Sequence, residues 1–220
     1  MRIAAIDTTG PVIGVALLAE GRVLARSERV RKGAEALLIP WLQALCQQAE
    51  VPLASLDGVA VSHGPGAFTG LRVGLATAAG LAQGLGVPLW STSSLDSRAR
   101  RVRGEGQVLA LIDARKGKAY AALYAADGAL LRGPADLPPV EAIGWASAPF
   151  VATGEGAALW RELVEGAGGV VADDAADPAV DALALMGEVA IAAGLGREPH
   201  AVTPVYLREP DAKPPAAASV

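Results

Sequence analysis

Residues 108–131, VLALIDARKGKAYAALYAADGALL, repeat the pattern of residues 3–24, IAAIDTTGPVIGVALLAEGRVL. A shift of 106 places Ala4 on Ala110, Ile6 on Ile112, Asp7 on Asp113, Ala16 on Ala122, Leu17 on Leu123 and Ala19 on Ala125. One added residue then brings Glu20-Gly21 onto Asp127-Gly128. Each copy reads as an apolar strand ending on an aspartate, a turn, and a second apolar strand closed by an acidic-Gly turn. A chain that carries this unit twice is expected to fold as a duplication.

The elements around the repeat point the same way. In the first half, strands are expected over Arg2–Thr9, Val12–Glu20 and Val23–Val30, then a helix over Ala34–Glu50. A strand over Leu56–Gly64, a helix over Phe68–Leu85 and a strand over Val87–Ser93 follow, giving the order βββαβαβ. Pro40 implies that the first helix either kinks or begins near that residue. In the second half a Pro-rich stretch, Gly133–Pro139, precedes a short helix. Pro149–Glu165 reads strand, glycine turn, helix; GGVVADD is a short strand; Val180–Gly196 is an amphipathic helix ended by glycine. The expectation is an α/β chain of two lobes, each a mixed sheet with flanking helices, at 1–103 and 104–208, the second smaller and less regular. The Pro/Ala composition of 209–220 suggests a frayed tail.

Composition narrows the function. Hydrophobic residues make up 52% of the 220 and charged residues 19%, with a net charge of −4. That suffices for a substantial core and argues against a strongly basic nucleic-acid binder. The local exception, RARRVR (Arg98–Arg103), reads first as a solvated helix end and second as a contact for nucleic acid. The single Cys46 allows no internal disulfide. With no leader pattern and no long apolar run, a cytoplasmic protein without a membrane span is expected.

No metal site is expected, because the two histidines, His63 and His200, are far apart and neither HExxH nor CxxC occurs. No GxSxG is present, so no catalytic nucleophile is assigned. Asp7 and Asp113 close the two repeated strands, where a carboxylate either holds Mg²⁺ or caps its own turn. Gly64 and Gly66 belong to HGPGAFTG, a strand-to-helix turn that presents backbone N–H groups as an anion site would, yet lacks the lysine of a phosphate loop. These four residues are the candidates for a vestigial cofactor site. TGEG (Thr153–Gly156) is the only candidate for an adenine loop, and no cofactor is assigned.

The second helix carries more glycine than its stability favours, at about 0.8–1.0 kcal/mol for each internal glycine relative to alanine. Gly66, Gly70, Gly74 and Ala78 recur every four residues, as do Gly80 and Gly84, which makes a smooth stripe. The first helix is apolar nearly all round. Leu38, Trp41, Leu42 and Leu45, with Leu71, Gly74, Leu75 and Ala78, are therefore expected at a subunit interface.

GPGAFTGLRVGLATAAGLAQGLGVPL resembles the signature of the TsaB (YeaZ) family. AIDTT, STSSLDSRA, LIDARKGKAYAALY and PVYLRE resemble it too, over the chain to about Glu209. The resemblance implies two RNase H-like lobes of the actin-like ATPase superfamily. It also implies a non-catalytic subunit that pairs through its first two helices with the catalytic relative TsaD and is joined by TsaE. When alone, the chain is expected to pair with itself through the same apolar helical patch as a homodimer. That assembly transfers a threonylcarbamoyl group to adenosine 37 of ANN-decoding tRNAs, so tRNA would be met only through the complex. The metal-binding histidines that TsaD carries on its first helix have no counterpart in GAEALLIPWLQALC. Many relatives have a His-Ser pair where Lys32-Gly33-Ala34 stands, and no role is carried over to those positions. A small actin-like ATPase is the alternative reading. A glycoprotease is disfavoured by the missing ligands.

Overall fold

The computed structural model describes residues 1–102 and 106–208. Two five-stranded sheets share one design. The first runs β3-β2-β1-β4-β5 and the second β8-β7-β6-β9-β10, so both have the same order and the same mixture of antiparallel and parallel pairs. The strands of the first are β1 (Ile3–Asp7), β2 (Val12–Ala19), β3 (Arg22–Arg29), β4 (Gly58–Ser62) and β5 (Leu89–Thr92). Those of the second are β6 (Gln107–Asp113), β7 (Ala119–Tyr124), β8 (Leu130–Leu137), β9 (Phe150–Thr153) and β10 (Gly169–Val171). The duplication is thus present in three dimensions, as two lobes of the RNase H-like, actin-like type.

Each lobe lends its last helix to the other. Helices α1 (Ala34–Gln48) and α2 (Phe68–Leu85) cover one face of the first sheet. Its other face is covered by α7 (Val180–Ala192), which packs on β1, β2 and β4. In the second lobe α4 (Pro139–Ile143), α5 (Glu155–Leu159) and α6 (Arg161–Gly166) cover one face, and α3 (Ser94–Arg101) from the first half covers the other. The crossing helices α3 and α7 meet between the sheets. The expected boundary at 103/104 and the expected tail at 209–220 fall outside the described residues.

The second sheet has five strands like the first, and the helices α4, α5 and α6 that cover it are short and less regular. The Pro-rich stretch precedes the short helix α4 as expected, and lies in β8, which runs through Pro134. Proline is tolerated there because β8 is an edge strand, paired with bulges to β7 alone. The expected match of Asp7 with Asp113 needs correction, because the repeat slips by one residue. β2 maps on β7 at the shift of 106, since Ala16 and Ala122 both face the crossing helices and Leu17 and Leu123 both face the opposite side. But Ala5 opposes Ala16 whereas Ala110 opposes Ala122, so β1 maps on β6 at 105. The residue that answers to Asp7 is therefore Ile112, opposite Tyr120 as Asp7 is opposite Gly14. Asp113 lies one step further, on the other face of its strand.

Candidate functional site

The two lobes enclose a cleft of about 1030 Å³. Its walls are the β1–β2 turn (Thr8–Pro11), the β3–α1 connection (Arg29–Glu35), the start of α2, the β6–β7 turn (Asp113–Lys116), Glu155, and the C-terminal segment Val205–Arg208. That segment spans the lobes. Val205 N–H donates to the His63 carbonyl (2.8 Å), Tyr206 packs on Phe68, and Arg208 reaches Asp136 on β8 with two hydrogen bonds of 2.8 and 2.9 Å.

Asp7 is fully buried at the end of β1. Its Oδ1 accepts from Thr9 N–H (2.8 Å) and Thr9 Oγ1 (2.6 Å). Its Oδ2 accepts from Ser62 Oγ (3.1 Å) and Arg98 Nη1 (3.2 Å). Those four bonds use the roughly four acceptor positions a carboxylate offers. Asp113 caps its own turn, accepting from Arg115 N–H (2.8 Å), and pairs with the Arg115 side chain at 3.1 Å. Asp113 thus borders the cleft, whereas Asp7 is buried behind the β1–β2 turn that forms its wall.

The glycines of the strand-to-helix turn serve the chain's own packing. A Cβ on Gly66 would collide with the Thr9 carbonyl, one on Gly70 with the Thr8 carbonyl, and one on Gly74 with Thr8 Oγ1. Gly64 lies beneath the Val205 carbonyl with φ +113°. The smooth stripe therefore receives the β1–β2 turn, not a second helix, and the Ala67 N–H before α2 donates to the Thr9 carbonyl at 2.8 Å. In TGEG, Gly154 and Gly156 press on the Leu111 backbone, and Glu155 turns into the cleft.

What the sequence reading missed is Arg98. It is 2% exposed, not a solvated helix end. Its guanidinium stands between Asp7 (3.2 Å) and Glu155 (3.4 Å), and also donates to the Ser94 carbonyl (2.9 Å) and Thr9 Oγ1 (3.3 Å). Burial holds the Glu155 carboxyl above the usual carboxylate range despite that arginine. Arg100 and Arg101 are likewise paired, with Asp96 and with Asp174 and Asp181, so the described part of the basic run is engaged within the chain; Arg103 lies outside the described residues. The only local hint was the spacing of four from Ser94, because the carboxylates that hold Arg98 are remote in sequence.

The expected interface residues are core. Leu38, Trp41, Leu42, Leu45, Leu75 and Ala78 are buried in the cluster against the first sheet, Leu71 is buried beside Gly64, and Gly74 meets Thr8. The large apolar residues of both helices are buried or half-buried apart from Phe68, exposed at the start of α2, and Arg26 covers the Trp41 ring. The exposed apolar positions further along are small: Ala36, Pro40 and Ala44 on α1, and Ala76, Gly80 and Gly84 on α2. A Cβ on Gly80 or Gly84 would meet nothing within 4 Å.

Among the described residues no group of three or more His, Cys, Asp or Glu side chains is placed to hold a metal ion, and no helix is long and apolar enough to cross a membrane.

Residues 28–215 match the family described as TsaD, tRNA N6-adenosine threonylcarbamoyltransferase. The chain is 33% identical to the tRNA threonylcarbamoyladenosine biosynthesis protein TsaB of Escherichia coli, over 94% of this chain and 95% of that protein. It is 29% identical to the TsaB of Bacillus subtilis, over 97% and 96%. The solved structure of YeaZ from Pseudomonas aeruginosa superimposes with a TM-score of 0.80 at 33% identity, covering 94% of this chain and 99% of that one.

Proposed function

The chain belongs to the TsaB (YeaZ) family, and from that premise we propose that it is a non-catalytic subunit in tRNA threonylcarbamoyladenosine biosynthesis. In this reading it docks on TsaD, is joined by TsaE, and lends a surface instead of a reactive group. Transfer of the threonylcarbamoyl group to adenosine 37 then takes place on TsaD, and tRNA is met through the assembly. Alone, the chain pairs with itself through the same surface, so self-association and partner binding compete.

The observation that carries the reading is the outer face of α1 and α2. Gly80 and Gly84 cost helix stability and the chain makes no use of the space they leave. With Ala76 beside them, and Ala36, Pro40 and Ala44 on α1, they form a surface on which a partner's helices can approach backbone to backbone. The partner face is thus the reverse of the one expected from hydrophobic stripes.

Co-purification with the TsaD of the same organism tests this. The parent is expected to be retained in a stoichiometric complex. Gly80→Arg is expected to keep its circular dichroism spectrum and to lose both the complex and the homodimer. A folded Gly80→Arg that binds TsaD as tightly as the parent would exclude this face.

A further inference from the structure

We propose that the Arg98 guanidinium is a resident cation buried beneath the interlobe cleft: it pairs with Asp7 and Glu155 at once and leaves the cleft without the free carboxylates a magnesium nucleotide needs. The actin-like fold implies such a nucleotide, and the residues present do not fit one. A divalent ion bound by carboxylates needs oxygens with free lone pairs. Both oxygens of Asp7 are already taken, one of them by Arg98. Glu155, the acid the second lobe turns toward it, is held by the same guanidinium. Ile112 fills the position on β6 that answers to Asp7. The helix N-terminus that would receive a phosphate gives its Ala67 N–H to the Thr9 carbonyl.

The arrangement also ties the molecule together. Asp7 comes from the first sheet, Glu155 from the second lobe, and Arg98 from the helix that crosses between them. Arg98 Nε is buried without an acceptor, so the side chain is committed to the two carboxylates and to the oxygens beside them. Removing the arginine would leave the two acids on either side of the space the guanidinium fills. This inference concerns the cleft alone and does not depend on which protein docks on α1 and α2.

The test uses the full chain, thermal melting, and equilibrium dialysis against Mn²⁺ and ATP. The parent is expected to melt at the same temperature with or without millimolar MnCl₂ and ATP, and to retain no nucleotide. Retention of manganese-ATP by the parent would overturn the proposal. Arg98→Met is expected to melt roughly 10 °C below the parent, as loss of one partner from a buried ion cluster implies. It should regain part of that shift in MnCl₂ alone, and the regain should vanish in Arg98→Met combined with Glu155→Gln. An Arg98→Met protein that melts like the parent, or that ignores Mn²⁺, would overturn it equally. If Arg98→Met does not fold as expressed, refolding from urea with and without MnCl₂ decides: a higher yield with the ion supports the proposal, and equal yields refute it.

Discussion

His63 follows β4 half-buried, with its Nδ1 3.0 Å from Ser91 Oγ and its carbonyl accepting from Val205 N–H of the C-terminal segment. Burial and then the charge of Arg197 lower its pKa below 6.5, Asp96 opposing them. The folded chain therefore binds this proton more weakly than the unfolded one. The contribution is fully present above about pH 6.5 and is lost as the pH falls toward the lower folded value. Between about pH 7 and pH 5 the urea midpoint of the parent should fall more than that of His63→Gln. Parallel curves would show that His63 titrates as freely in the fold as out of it. Arg98 marks the limit of legibility at this scale. Its helix end was visible as a basic run, but its partners lie 91 residues upstream and 57 downstream, at Asp7 and Glu155, and only the crossing of α3 brings them together.

At the scale of elements, α2 was legible to the residue, Phe68–Leu85, because a Gly-Pro-Gly turn and a terminal glycine bracket it. The purpose of its glycines was not, because a sequence shows that backbone can come close and not whose backbone does. The two classes now separate by mutation. Gly80→Ala fills open space and should stabilise the isolated chain by about 0.8–1.0 kcal/mol. Gly70→Ala drives a methyl into the Thr8 carbonyl and should cost about 1–3 kcal/mol despite the gain in helix propensity. Denaturant unfolding of both would check this; equal effects would mean the stripe is not divided as described. Leu75→Glu places a charge in the core under α2. It should abolish the folded circular dichroism signal, not merely dissociate a dimer, since an unpaired buried charge costs several kcal/mol. A folded monomeric Leu75→Glu would return that residue to an interface.

For the whole molecule, the duplication was readable because apolar strands and acidic-Gly turns leave a pattern in sequence. The one-residue slip was not, because matching Asp7 with Asp113 aligns letters, whereas register follows the pairing of β1 with β2 and of β6 with β7. In the proposed reading the slip and Arg98 together make the cleft structural, and the chain acts through the outer face of α1 and α2. The most direct test is the amount of threonylcarbamoyladenosine in the tRNA of a strain whose own copy has been replaced by variants. Glu155→Gln, which alters the cleft and keeps the Arg98–Asp7 pair, should leave the modification at the parental level. Gly80→Arg, expressed at equal abundance, should reduce it to that of the deletion. Full modification with Gly80→Arg, or its loss with a stably folded Glu155→Gln, would contradict the account.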